Sequence, residues 1–291
     1  MPLLTVTHTT TYRYANPVTF GEHRMMMRPR DSHDLRLLKT SLGLHPAASI
    51  RWIHDVFGNS VAIARFKEPA TELCVVSKFQ AEHFPLPESS VEIEDYARRY
   101  PFSYDVSEVP DIGRAAERHY ADPDHLVDRF ARRFVDATPG HDTLSILAAI
   151  TKAIKAEFTY NPRDEMGTHD PVTTLTSKTG TCRDYALLLM ETARSLGFAA
   201  RFVSGYLYDD SKIAGGADTL IGGGVTHAWA EIYLPGAGWV PFDPTNAIIS
   251  DRNLIRVAVA RDPSQAVPLE GSFTGKPGDF LGMDVSVEIR V

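Results

Sequence analysis

Residues 179–197 constrain the fold more than any other stretch. Thr179-Gly180-Thr181 is a polar turn. Cys182-Arg183-Asp184-Tyr185-Ala186 follows, and Leu187-Leu188-Leu189-Met190 continues through Leu196 to a stop at Gly197. This pattern predicts a helix that starts at or just before Cys182 and ends at Gly197. Its apolar residues point in nearly every direction, so other elements must surround it. The same stretch puts a thiol in the first turn of a buried helix. Unpaired N–H groups and the positive end of the helix dipole favour the thiolate there, the nucleophilic form of cysteine. A lone cysteine at a helix start is more often a small core residue, so a catalytic reading needs partners for it.

Upstream, the first 90 residues read as strands at 5–14, 18–28, 35–44, 50–55, 60–66 and 72–81. Asn16-Pro17, Pro29, His45-Pro46 and Gly58-Asn59 punctuate them. Short strands in series without a helical period predict an antiparallel sandwich or barrel. Cys74 reads as a buried strand residue. Residues 85–101 form a proline-marked connector, beyond which the pattern becomes helical. One helix starts at Asp122-Pro123-Asp124, carries Leu126, Phe130 and Phe134, and breaks at Thr138-Pro139-Gly140. A second starts near Asp142 and ends near Phe158. Residues 163–178 read as a polar loop. Its Asp164, Glu165, His169 and Asp170 lack a recurring ligand spacing, so solvated side chains are expected rather than a metal site. Past Gly197 the chain is extended at 198–208, glycine-rich at 209–225, and extended again at 226–234 and 239–243. A terminal strand at 284–291 has Val285, Val287, Ile289 and Val291 on one face. The expected fold is α+β, with a β-rich part at 1–95 and a helix-and-sheet core at 96–291.

Several function classes are excluded at this level. A net charge of −7 over 291 residues gives no support to nucleic-acid binding. No apolar run approaches membrane-spanning length. The start, Met1-Pro2-Leu3-Leu4, has neither the basic residues nor the apolar core of a secretory signal. With only two distant cysteines, a cytoplasmic location is expected. Cys-x-x-Cys, His-Glu-x-x-His and phosphate-loop motifs are absent, so no metal or nucleotide cofactor is expected.

A nucleophilic thiol needs a base, and the base needs an orienting group. Of eleven histidines, His227 stands out, in Thr226-His227-Ala228-Trp229-Ala230-Glu231-Ile232-Tyr233-Leu234. In a strand, His227, Trp229, Glu231 and Tyr233 share one face, and Ala228, Ala230, Ile232 and Leu234 form the core face. Asp243 ends the next apolar strand, in Trp239-Val240-Pro241-Phe242-Asp243-Pro244. Singly, these read as a structural histidine and a turn aspartate.

Together, Gly180-Thr181-Cys182-Arg183-Asp184-Tyr185-Ala186, Ala200-Arg201-Phe202-Val203-Ser204-Gly205-Tyr206, His227-Ala228-Trp229-Ala230-Glu231 and Gly238-Trp239-Val240-Pro241-Phe242-Asp243-Pro244-Thr245 resemble the transglutaminase-like superfamily of papain-fold cysteine enzymes. The N-terminal part resembles the β-rich region that precedes this core in bacterial members. Its cues are His8-Thr9-Thr10-Thr11-Tyr12-Arg13-Tyr14, Arg28-Pro29-Arg30 and Asp55-Val56-Phe57-Gly58-Asn59. The resemblance implies Cys182 as nucleophile, His227 as base and Asp243 as the residue orienting the imidazole. It implies acyl transfer through a thioester on a peptide or protein amide substrate. Trp229, on the strand face of His227, reads equally as a wall of the cleft or as an ordinary packing residue. No calcium signature of the animal cross-linking enzymes is present, so hydrolysis is expected ahead of transfer to an amine. A binding module on the same fold is the non-enzymatic alternative. Asp243→Asn is expected to be the mildest change to the triad.

Bringing His227 to Asp243 constrains the strand pair that carries them. Opposed residues in an antiparallel pair have a constant index sum, and one face recurs every second residue. A regular four-residue hairpin over 235–238 gives an odd sum and puts His227 and Asp243 on opposite faces. An even sum, 470 or 472, puts them together. An odd-length loop or a bulge is therefore expected, with Gly236 or Gly238 as the irregular position.

Overall fold

The computed structural model describes residues 3–85, 87–163, 167–209, 220–250 and 252–290. Period-two alternation in the first eighty residues produces strands with one buried face. They are β1 (Leu3–Phe20), β2 (His23–Arg28), β3 (Leu35–His45), β4 (Ala48–His54), β5 (Ser60–Phe66) and β6 (Ala70–His83). One sheet runs β1-β6-β3 and a second β2-β5-β4, all antiparallel. Val18, Phe20, Met25, Met27, Ala62, Ala64, Leu73 and Val75 fill the space between them. β1 does not end at Asn16-Pro17. Its ladder with β6 is interrupted between Arg13 and Val18, so the missing N–H of Pro17 breaks no bond. Cys74 is half-buried rather than buried. Leu73 and Val75 take the inward positions, and the Cys74 sulfur accepts from Thr11 Oγ1 at 3.7 Å.

The chain then forms α1 (Val109–Ala116), α2 (Leu126–Ala137), α3 (Thr143–Glu157), β7 (Thr159–Tyr160), α4 (Pro171–Ser177), β8 (Thr179–Gly180) and α5 (Cys182–Ser195). Asp122 holds the start of α2, accepting from Leu126 N at 2.8 Å and Val127 N at 3.0 Å. Asp142 caps α3 through Ser145 N. The expected polar loop at 163–178 contains α4, capped by Asp170 through Thr173 N. Seven residues with three threonines carry too little apolar period to be read as a helix. Asp164 and Glu165 lie outside the described residues. From Asp184 to Arg194 every residue of α5 is buried, because α2, α3 and α4 enclose one side of it and a sheet encloses the other.

That sheet comprises β9 (Ala200–Leu207), β10 (His227–Leu234), β11 (Gly238–Asp243), β12 (Ile248–Ile249) and β13 (Leu254–Ala260) in the order β12-β11-β10-β9-β13. Most of the glycine-rich loop expected at 209–225 lies outside the described residues. The last strands are β14 (Leu269–Glu270), β15 (Phe273–Thr274) and β16 (Phe280–Arg290). They leave the core: β14 pairs with β2, and β15 and β16 pair with β1. A single cut at residue 95 therefore assigns residues 269–290 to the wrong part of the molecule. Pattern identifies a strand, but a partner at the other end of the chain is fixed only by the fold. Val285, Val287 and Ile289 do turn inward, with Val287 buried against Leu4 and Val6.

Candidate active site

The hairpin of β10 and β11 pairs Leu234 with Gly238, Ile232 with Val240 and Ala230 with Phe242. The index sum is 472, even as required, and the loop is the three residues Pro235-Gly236-Ala237. Gly236 has φ +87°, and a Cβ there would meet the backbone of Glu94 at 2.9 Å, so this turn needs glycine twice over. Continuing the register sets Trp229 opposite Asp243, with His227 on the diagonal. His227 Nε2 lies 2.9 Å from Asp243 Oδ2, both side chains fully buried.

Asp243 is saturated with donors. Oδ2 also accepts from Asn246 Nδ2 at 2.9 Å, and Oδ1 accepts from Thr245 N at 2.8 Å. Burial raises the pKa of this carboxyl, but the His227 charge and these donors outweigh it, and the group is held below its usual range. Burial likewise opposes a charge on His227, yet Asp243 and the Cys182 thiolate raise its pKa from 6.5 to about 10. Cys182, 7 % exposed at the start of α5, completes the set. Burial alone would push its thiol up. Hydrogen bonding to His227, the imidazolium charge, the Ala228 N–H and the charge of Arg183 together hold it below its ordinary value. The arrangement favours a thiolate–imidazolium pair.

Asp184, at the third residue of α5, fixes the approach to the thiol. It accepts from Thr181 N at 2.8 Å and His169 N at 2.7 Å, and it takes both terminal nitrogens of Arg163 at 3.0 and 3.1 Å. The segment before His227 is held from the other side. Asn246 Oδ1 accepts from Ile221 N at 2.8 Å, and its Nδ2 donates to Ile221 O at 3.0 Å. Gly222 then lies on the imidazole: with φ +98°, a Cβ there would stand 2.6 Å from His227 Nδ1. Tyr160, on the short strand paired with Gly180 two residues before Cys182, is electrostatically tied to the thiol. Burial and then the thiolate charge push the phenol above its usual range.

The structure thus brings Cys182, His227 and Asp243 together. It does not place Trp229 on a cleft. Trp229 is 1 % exposed and packs among Val203, Leu207, Leu254 and Val259, with its ring stacked behind His227 at 6.2 Å. Partners outside the hairpin cover the face that the strand pattern left open. Asn246 and Tyr160 do not stand out in the sequence. Asn246 follows Asp243-Pro244-Thr245 as an ordinary turn residue, and Tyr160 reads only as the end of a helix. Among the described residues, no group of three or more His, Cys, Asp or Glu side chains could hold a metal ion.

Comparison with known proteins agrees with this architecture. Residues 4–82 match the bacterial transglutaminase-like N-terminal region, and residues 129–244 match the transglutaminase-like superfamily. An uncharacterized protein of Mycobacterium tuberculosis is 29% identical over 98% of this chain and 91% of its own length. One of Mycobacterium leprae is 27% identical over 98% and 97%. A solved structure from Cytophaga hutchinsonii, provisionally assigned as a cysteine protease, superimposes with a TM-score of 0.70 at 19% identity. That match covers 99% of this chain and 90% of that one, and the likeness is one of fold. The chain belongs to the transglutaminase-like superfamily and carries its bacterial N-terminal region.

Proposed function

We propose that this protein is a cysteine-dependent hydrolase of amide or peptide bonds, working through a thioester on Cys182. The observation that carries the reading is the coupled, buried set of Cys182, His227 and Asp243, with the thiol's pKa lowered and the imidazole's raised. The thiolate attacks the carbonyl carbon, and the leaving amine takes the proton held on His227. Asp243 keeps the imidazole oriented and charged. Water, activated by the now neutral His227, then attacks the thioester and releases the acid. Family membership supports cysteine chemistry, and the cytoplasmic expectation is compatible with a nucleophile that must stay reduced.

The test combines three measurements on the full chain. Cys182 should be alkylated by iodoacetamide near pH 6 much faster than a free thiol. An activated acyl ester should leave an acyl group on Cys182, seen by mass spectrometry. Cys182→Ala should lose both while keeping its melting temperature. A thiol that is inert at pH 6 and never acylated would overturn the proposal. Turnover in the presence of a primary diamine separates the two acceptors: free acid means hydrolysis, and an amide product means acyl transfer.

A further inference from the structure

The N-terminal sandwich is open along one side. β3 and β4 are the edge strands of its two sheets. Thr40 and Leu42 of β3 stand opposite Phe79 and Ser77, and Ile50 and Trp52 of β4 stand opposite Ala64 and Ala62. These side chains therefore face the space between the sheets. Ile50 and Trp52 nevertheless remain 37 % and 45 % exposed, because the two edges do not meet. The gap is a cleft of about 280 Å³ whose buried floor is Met25, Met27 and Phe79. That size lies at the lower end for small-molecule sites, roughly 300–1,000 Å³. All of its lining residues fall between 25 and 79, so it is separate from the Cys182 site.

A charge is aimed into this apolar gap. In the β2–β5 ladder Met25 pairs with Ala62 and Arg28 with Ser60, so Met26 and Met27 together oppose one residue. This is a β-bulge, and it re-aims the side chains that follow. Met27 and Arg28, though adjacent in sequence, both line the cleft. The Ser77 hydroxyl secures the bulge by donating to Met27 O at 3.1 Å. Arg28 stands over the Trp52 ring at 5.6 Å. Stacking on a ring uses none of the guanidinium N–H groups. Among the described residues the Arg28 guanidinium has no ion-pair or hydrogen-bond partner, and the cleft has no Asp or Glu in its lining.

We propose that this cleft binds a medium-chain fatty acid, with the carboxylate on Arg28 and the alkyl chain along Met25, Met27 and Phe79. One unpaired cation matches one negative charge, and a guanidinium takes a carboxylate bidentately. Beyond Arg28 the floor is apolar, and its methionines adapt to a flexible chain. The volume admits one short chain and excludes a two-chain lipid.

The experiment titrates the full chain with decanoate and with decanol, below the concentration at which either aggregates. Calorimetry and tryptophan emission follow binding, since Trp52 lies at the lip. Decanoate is expected to bind one per chain, about tenfold or more tighter than decanol. Affinity should rise about fourfold per methylene from hexanoate to decanoate. Arg28→Gln should weaken decanoate about tenfold or more and leave decanol unchanged, and Arg28→Lys should restore part of the loss. Trp52→Phe should remove the emission change and keep the heat. Equal decanoate affinity in folded Arg28→Gln and wild type would overturn the proposal. So would equal affinity of the acid and the alcohol for wild type, which would make the gap a neutral apolar groove. No saturable binding, or uptake of several molecules per chain, would overturn it outright. Should Arg28→Gln fail to fold, the acid–alcohol comparison and the chain-length series on wild type decide the matter.

Discussion

Every hydrogen bond reaching the Asp243 carboxylate comes from a donor: His227 Nε2, Asn246 Nδ2 and Thr245 N. An asparagine at 243 would face its own NH2 to one of those donors in either orientation. Asp243→Asn should therefore not be mild, contrary to what sequence position alone suggests. It should cost about 1–3 kcal/mol at the site, or about 5- to 150-fold in kcat/KM. It should also remove the charge that raises His227. The working ion pair forms as pH rises through the lowered Cys182 pKa and ends as His227 loses its proton near pH 10. The pH profile of kcat/KM should be bell-shaped, and in Asp243→Asn its alkaline limb should move down. An alkaline limb at the same pH in both proteins would contradict the assignment of that limb to His227. Asn246→Ala acts on the same carboxylate and also leaves Ile221 N–H and C=O without their partner. Turnover should fall about tenfold while Cys182 alkylation persists; unchanged kcat/KM would show that the tether does not position the imidazole.

At the scale of elements, α5 is enclosed on all sides yet buries two further charges besides Asp184. Glu191 accepts from Arg118 Nε at 3.0 Å and Arg194 Nη1 at 2.9 Å. Arg194 also donates to the carbonyls of Ala115, Ala200 and Arg261 at 2.8–2.9 Å. Removing one partner strands a buried charge, so Glu191→Ala should cost about 3–5 kcal/mol of stability. Chemical denaturation would measure it, and a loss under about 1 kcal/mol would mean that water reaches the pair. The apolar residues of α5 were legible because period and capping are local. The charges inside it were not, because the groups that satisfy them are distant: Arg118 reaches Glu191 from 73 residues upstream, and Ala115 O and Arg261 O accept from Arg194 across 79 and 67 residues. The same contrast runs through the site. Once His227 and Asp243 must share a face, the parity of the β10–β11 register follows from two residue numbers and the two-residue period, so the odd loop length could be derived. The roles of Asn246 and Tyr160 depend on which segments approach one another, and no local pattern contains that. β13 also went unread, though it pairs with β9 over the length of the core sheet.

The whole molecule is tied together by segments that a cut at residue 95 would separate. β14, β15 and β16 complete the N-terminal sheets, and Val287 N donates to Gly224 O at 2.8 Å, linking the last strand to the segment that carries Gly222. Leu4, Val6, Leu35, Phe79 and Ala81 share a buried cluster with Tyr206, Tyr208, Ile255 and Val257. Residues 1–95 expressed alone would expose those faces and the β1 edge, and should give no cooperative unfolding transition; a sharp one would show an independent domain. The buried histidines at this junction supply a finer test. His8 is 1 % exposed, and its ring contacts Tyr206 Oη at 2.9 Å and Thr10 Oγ1 at 3.1 Å. Burial lowers its pKa from 6.5 to about 4. Above pH 6.5 the ring is neutral in folded and unfolded chains alike. As pH falls from 6.5 toward 4, the unfolded chain takes up a proton that the folded one refuses. Stability should therefore decline across that window, by about 3 kcal/mol from this residue alone. Below pH 4 both states are protonated and the decline from His8 ends. His23 and His119 are shifted the same way, so the wild-type slope has several sources. Comparison with His8→Gln isolates one of them, because glutamine keeps a polar group at the site and does not titrate. Denaturation at pH 7, 5.5 and 4 should give a shallower slope in the variant, and identical slopes would show that the His8 ring is already reached by water in the folded protein.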